Sequence, residues 1–391
     1  MTAAPRPFET QQGRPKRHRF RDFWQRVTEG IELDVLGRQF LSEAKSSYRV
    51  YAKDVDWDEV GNARGPRRIF RTILALFQAM LMKLSPARRV LLLIAIALLL
   101  IQPDVRWGEK QEFSLHMGGF GVAILFILLA VELADRVTMK RDLEIAREIQ
   151  QWLVPESAPK VDGIDIAFST RPQNTVAGDY YDAFLRPVPP QSAAVGPLLV
   201  AVADVAGKSV PAALLMATFQ ASLRALAITP VPLGEIVDGL DRYCRAHSLD
   251  GRRFTTAFLA EIDLRTREMH YVNAGHNDPI LLHVSGAIER LSAGGPPFGL
   301  PSFTDEPIAY ASARVQLQPG DLLVIFTDGL VEAINDSEEE YRESRLLASI
   351  ESAANESSEA MLKRIMAGVN AFAGAARQHD DITCLVLRVT P

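Results

Sequence analysis

An α+β sandwich is the fold class that the sequence predicts for residues 159–391, and three observations predict it. Short β-branched and aromatic runs recur throughout this region. Helical stretches fall in pairs between groups of strands, where a doubly wound sheet would need strict alternation. Several of the apolar runs also stop abruptly on an aspartate, which delivers a carboxylate to the end of a buried strand.

Composition bounds the rest. A chain of 391 residues has room for two or three domains and a substantial core. Its formal net charge of -5 gives no overall basic footprint, which argues against nucleic acid as a partner. The two cysteines, Cys244 and Cys384, have no local partners, so neither a disulfide scaffold nor a thiolate zinc site is expected. Met1 to Arg21 lacks an apolar core, so no cleavable signal peptide is read there.

In chain order, residues 1–68 form a basic N-terminal region of unassigned role. Its cluster of Arg14, Lys16, Arg17, His18, Arg19 and Arg21 reads as a solvated or membrane-surface tail. Residues 69–131 read as a membrane-associated helical hairpin. Ile69 to Leu84 leads in as an interfacial helix, and the apolar stretches Val90 to Ile101 and Leu115 to Val131 flank a polar link, Gln102 to Ser114. Arginines and lysines before and after the hairpin place both ends in the cytoplasm. A soluble pair of apolar helices under the C-terminal domain is the alternative.

Residues 132–158 read as a linker helix. Leu133, Val137, Leu143, Ile145, Ile149 and Leu153 recur at helical spacing, and Pro155 and Pro159 end the helix. Such a stripe serves equally to pair two copies of the chain or to pack on the chain's own domain.

Beyond it, strands are expected at Ile164 to Ser169, Tyr180 to Leu185, Leu198 to Ala203, Thr255 to Ile262, Met269 to Asn273, Ile280 to Val284, Arg314 to Leu317, Asp321 to Phe326 and Ile382 to Val389. Helices are expected at Pro211 to Ala227, Leu233 to His247, Arg342 to Ser352 and Glu359 to Phe372.

Five strings carry the chemistry: Ala177 to Asp182, Ala203 to Ala213, Asn273 to Asn277, Thr327 to Ala333 and His379 to Thr383. Taken singly, an Asp beside a Gly is a turn residue or an N-cap. Four strings with an Asp at a strand–turn junction of one domain would be costly near a core unless a cation offsets them, and hard cations take oxygen ligands. Gly207-Lys208-Ser209 lacks the earlier glycine of a P-loop, since Val202 stands there. His276 reads as a hydrogen-bonded turn residue, and no Gly-x-Ser-x-Gly elbow is present.

The ordered set GDYYD, ADVAGKSVPAALLMA, TTAF, NAGHN, PGDLLVIFTDGLVEA and DDIT resembles the SpoIIE/RsbU-like branch of the PPM (type 2C) metal-dependent serine/threonine phosphatases, over residues 143–389. The resemblance implies an αββα sandwich, with a pair of Mn²⁺ or Mg²⁺ ions at one edge. On matching positions it implies that Asp204 bridges both ions, with the Val205 carbonyl a ligand of one. Asp328 and the aspartate of DDIT, Asp380 in preference to Asp381, would hold the other, and Asp179 would lie in the same cluster.

The resemblance further implies a protein serine/threonine phosphatase acting on a phosphorylated regulatory protein of the anti-sigma-factor-antagonist type. The linker helix would set its activity as a homodimer at the membrane. Where many relatives carry Gly-His-Gly this chain has Gly207-Lys208-Ser209, which makes Lys208 a candidate for substrate phosphate, with Arg171 a second. An inactive binding module of the same fold and a membrane-anchored scaffold are the rival readings.

Overall fold

The computed structural model describes residues 66–391 together with Ala52 and Val55, apart from 103, 108–112, 189–194, 249–250, 293 and 302–307. The basic cluster at 14–21, and nearly all of the 1–68 region, lie outside the described residues. The chain divides into two units at Asp135/Arg136.

In the first unit, α1 spans Pro66–Lys83 and α2 spans Pro86–Ile101. Proline opens α2, where its missing N–H costs nothing, and Gln102 closes it in the left-handed conformation. A short hairpin of β1 (Asp104–Trp107) and β2 (Phe113–His116) stands where a plain polar link was expected. Leu115 accordingly belongs to a strand, and the second apolar helix begins only at Gly118. That helix packs on α2: a Cβ at Gly121 would collide with the Ala95 carbonyl, and Ala95 is fully buried. Arg88 on α2 pairs with Asp135 at 2.6 Å and Glu132 at 3.5 Å.

The helix from Gly118, α3, runs unbroken to Leu153 over 36 residues. The apolar segment and the linker segment are therefore one helix. No glycine or proline interrupts it after Gly121, so nothing in the backbone ends it before Pro155.

The second unit holds two five-stranded antiparallel sheets. In chain order its elements are β3 (Ile164–Arg171), β4 (Tyr180–Leu185), β5 (Leu198–Val205), α4 (Val210–Ala227), α5 (Leu233–Ala246), β6 (Thr255–Ile262), β7 (Glu268–Ala274), β8 (Ile280–Leu282), β9 (Ile288–Arg290), β10 (Ala313–Gln316), β11 (Leu322–Phe326), α6 (Asp328–Val331), α7 (Arg342–Glu351), α8 (Ser358–Ala373) and β12 (Ile382–Val389). One sheet has the order β10-β7-β6-β5-β4, the other β3-β12-β11-β8-β9.

The period of two along each strand builds the layers. In β5, Leu198, Val200 and Val202 meet Leu323, Ile325, Leu385 and Leu387 of the opposite sheet. The alternate residues Leu199, Ala201 and Ala203 pack outward on Met216, Phe219 and Leu223 of α4 and Ile236 and Leu240 of α5. On the far side Val324, Phe326, Cys384 and Val386 pack on Leu346 and Ile350 of α7 and on Met361 and Ile365 of α8. The result is the expected αββα sandwich. Because both faces of the central strands are covered, they read as unbroken apolar runs.

Among the described residues, one helix is long and apolar enough to cross a membrane, α4. Its Ala212, Met216, Phe219, Leu223 and Ala227 are buried in the sandwich, so it is a core helix. Helix α2 has 16 residues, about 24 Å at 1.5 Å per residue, against a hydrocarbon core of about 30 Å.

Candidate functional site

Strand register gathers the aspartates. At one end of the first sheet Tyr180 pairs with Ala203, so Asp179, just before β4, lies beside Asp204 near the end of β5. At one end of the second, Phe326 pairs with Cys384, so Asp328, after β11, lies beside Asp380 and Asp381, before β12. Antiparallel pairing thus sets each group at a single sheet end.

The buried Thr327 hydroxyl joins the two sheet ends. It donates to Asp179 Oδ2 at 2.9 Å and accepts from the Thr383 amide at 3.0 Å. Asp381 is held by two backbone amides, those of Gln173 and Gly178, each at 2.6 Å. Asp380 accepts from the Asp381 amide and pairs with Lys208 Nζ at 2.9 Å. Gly329 is required where it stands, because a Cβ there would overlap the Asp381 carbonyl. Asp328 is the first residue of α6, so it ends a strand and opens a helix together.

The electrostatics follow from this crowding. Burial, and then the neighbouring Asp204, hold the Asp179 carboxyl well above the usual carboxylate range. Burial followed by Asp328, Asp380 and Asp381 pushes Asp204 up to about 7. Asp328 is raised by burial and by Asp380, and Asp381 by burial, against the pull of its amide donors. Each aspartate is already engaged by a protein donor or faces a like charge. Among the described residues no three His, Cys, Asp or Glu side chains converge at metal-ligand distance. As a donor set the five carboxylates and the Val205 carbonyl are all hard oxygens, and the raised pKa values of Asp179, Asp204, Asp328 and Asp381 mark negative charge that Lys208, paired with Asp380, does not fully offset. That chemistry fits a hard divalent cation.

The two candidate phosphate contacts come together. Lys208 and Arg171 line one cavity of about 150 Å³ with Asp380, Glu332 and Gln378. Arg171 reaches Asn370, and among the described residues its buried Nε has no partner. His276 is buried, with Nδ1 2.9 Å from Thr256 Oγ1. Desolvation lowers its pKa to about 4, so it is neutral near pH 7, and among the described residues its buried Nε2 has no hydrogen-bond partner.

Three supporting residues escape sequence reasoning. Gln150 on α3 grips the backbone of Ala177: its Nε2 donates to the carbonyl at 2.7 Å, and its Oε1 accepts from the amide at 2.9 Å. Its only signal in the sequence is a polar residue between Ile149 and Leu153. Arg253 donates to the Ala206 carbonyl at 3.2 Å, pinning the turn after Asp204. Arg224 on α4 clamps the fully buried Asp182 with two bonds of 2.7 Å, which ties that helix to β4.

A four-layer sandwich of two antiparallel sheets with a carboxylate cluster at one edge defines a PP2C-type domain. The SiaA-PP2C domain of Pseudomonas aeruginosa superposes with a TM-score of 0.55, covering 65% of this chain and 98% of that one at 22% identity. Residues 195–390 match the family described as Stage II sporulation protein E (SpoIIE), and the chain belongs to that family. Protein IcfG of Synechocystis is 26% identical over 73% of this chain and 47% of its own length. The phosphoserine phosphatase RsbU of Bacillus subtilis is 28% identical over 64% of this chain and 70% of its own. The chain therefore spans about half the length of the first relative and more of the second.

Proposed function

We propose that this protein is a Mn²⁺- or Mg²⁺-dependent serine/threonine protein phosphatase. The observation that carries the reading is the gathering of Asp179, Asp204, Asp328, Asp380 and Asp381 at one end of both sheets in a chain of the SpoIIE family. Asp204 would bridge two cations, with the Val205 carbonyl on one of them, and Asp328 and Asp380 with Asp381 would hold the other; Asp179 completes the cluster. When bound, such a pair supplies an activated water and charge stabilisation for phosphoryl transfer.

The chain's own groups do the rest. Thr327 orients Asp179, and the Gln173 and Gly178 amides orient Asp381. Lys208 and Arg171 grip the phosphoryl oxygens from the cavity they share, Lys208 exchanging its pairing with Asp380 for the substrate.

The substrate in this reading is a phosphorylated regulatory protein of the anti-sigma-factor-antagonist type, in keeping with the RsbU relative. Residues 69–131 anchor the chain at the membrane with the phosphatase domain, 159–391, in the cytoplasm. The exposed Leu91, Leu93, Ile94, Phe126, Ile127 and Leu129 support that anchoring. Exposed Val137, Ile145 and Ile149 support pairing of two linker helices, and the Gln150 grip on Ala177 supports control of the site by that helix.

Metal-dependent release of phosphate from p-nitrophenyl phosphate or a phosphoserine peptide, abolished in Asp328→Asn, tests the proposal. No turnover with either cation would sink it. That outcome would favour an inactive binding module, the reading to which the Lys208–Asp380 pair lends itself.

A further inference from the structure

One cleft of the C-terminal unit plays no part in the chemistry above. It has a volume of about 520 Å³, room for several side chains, and lies between α3 and the loop before β4. Lys140, Leu143, Glu144 and Arg147 form one wall; Asn174, Thr175, Val176 and Ser209 form the other.

Its place is set by the site residues. Asn174 to Val176 lie between Gln173 and Gly178, the two residues whose amides hold Asp381. Ser209 follows Lys208, the partner of Asp380. Arg147 also lines a second cavity, of about 100 Å³, together with Asp179. The cleft therefore runs alongside the carboxylate cluster, and Arg147 stands where the two spaces meet.

Its charge is equally specific. Among the described residues Lys140 has only a 4.0 Å contact with Glu144. Arg147 is exposed and has no ion pair or side-chain hydrogen bond among the described residues. With the metal sites filled, Lys140 and Arg147, opposed by Glu144 on the same wall, leave the cleft net positive and attract a phosphorylated substrate to the entry. They do so most for a substrate that carries further negative charge next to its phosphoserine. Small polar groups on the facing wall, Asn174, Thr175 and Ser209, suit an extended peptide backbone.

We propose that this cleft receives an acidic segment flanking the phosphoserine of the protein substrate, with Arg147 as the specificity-determining contact. The proposal rests on the phosphatase reading and extends it to substrate selection.

The test uses the full-length chain with phosphoserine peptides flanked by Asp/Glu or by Lys, and with p-nitrophenyl phosphate. Wild type should prefer the acidic peptide. Arg147→Ala should lower the ratio of kcat/KM for the acidic peptide over that for p-nitrophenyl phosphate about threefold, and Arg147→Glu about tenfold, through KM. Arg147→Glu should also gain on the Lys-flanked peptide, a reversal that a merely structural role does not produce. Equal losses on both peptides and on p-nitrophenyl phosphate would overturn the proposal, as would no change in the ratio.

Binding of fluorescent versions of both peptides, read by anisotropy, separates this from the parent reading. If wild type turns nothing over, yet binds the acidic peptide in an Arg147-dependent way, the phosphatase reading fails and the cleft stands. Turnover without flank preference has the opposite meaning.

Discussion

Replacing Gln150 with leucine tests whether α3 holds the metal-site loop. The side chain makes two hydrogen bonds to Ala177, at 2.7 and 2.9 Å, and Ala177 is 4% exposed. Leucine keeps the size and helix propensity but leaves one buried N–H and one buried C=O without these partners. Each such orphan costs about 1–3 kcal/mol, so the loop loses about 2–6 kcal/mol of restraint in its present position. The next two residues are Gly178, whose amide holds Asp381, and Asp179 itself.

If only about 2 kcal/mol of that loss falls on metal binding, the Mn²⁺ midpoint for activity rises about thirtyfold. Turnover at saturating Mn²⁺ should fall much less. Phosphate release against Mn²⁺ concentration, with circular dichroism to confirm intact helices, reads the effect. Gln150→Glu should be impaired as well, since it retains the acceptor but loses the donor and brings a negative charge toward Asp179. A Gln150→Leu midpoint within twofold of wild type would refute the coupling.

Three further outcomes are expected. Ser209 caps α4 at φ 63° and ψ -147°, a region costly for any residue with a Cβ, so Ser209→Gly should raise Tm by about 2–6 °C, from about 1–2 kcal/mol of relieved strain. In chelator at pH 8, Asp204→Asn should raise Tm while abolishing turnover. The wild-type carboxyl, at about 7 in the fold against 3.8 unfolded, costs stability increasingly as pH rises through that window, so the gain should shrink toward pH 4. His283 loses by desolvation but gains more from Glu289 and Asp321, which hold its pKa above the ordinary 6.5. Its stabilisation is full below 6.5 and lost as pH rises through the folded value, so titrating His283→Gln against wild type by urea unfolding should show the difference only on the acid side.

Much of the fold was legible because it is written locally. β4, β6 and β12 match their sequence-predicted bounds, and the other expected strands differ by one or two residues at an end. β9 was missed because Ile288–Arg290 is three residues long and half-buried, too short for its alternation to register. The hairpin at 104–116 was missed because its apolar second strand merges with the stretch that follows it.

Sequence alone determined which residues carry charge at strand ends, because an apolar run broken by aspartate is a local pattern, and it determined family membership because six short strings, four of them with such an aspartate, keep their order. Only the tertiary structure decided which of them meet. Two antiparallel registers set Asp179 beside Asp204 and Asp328 beside Asp380, and the Thr327 hydroxyl joins the two ends across 148 positions. Pairing between distant strands depends on how whole sheets bury both faces, which no window of sequence contains. The same holds for Gln150 and Arg147. On the linear chain they are polar positions of an amphipathic helix; in the fold one grips the loop of the site and the other lines the cleft beside it.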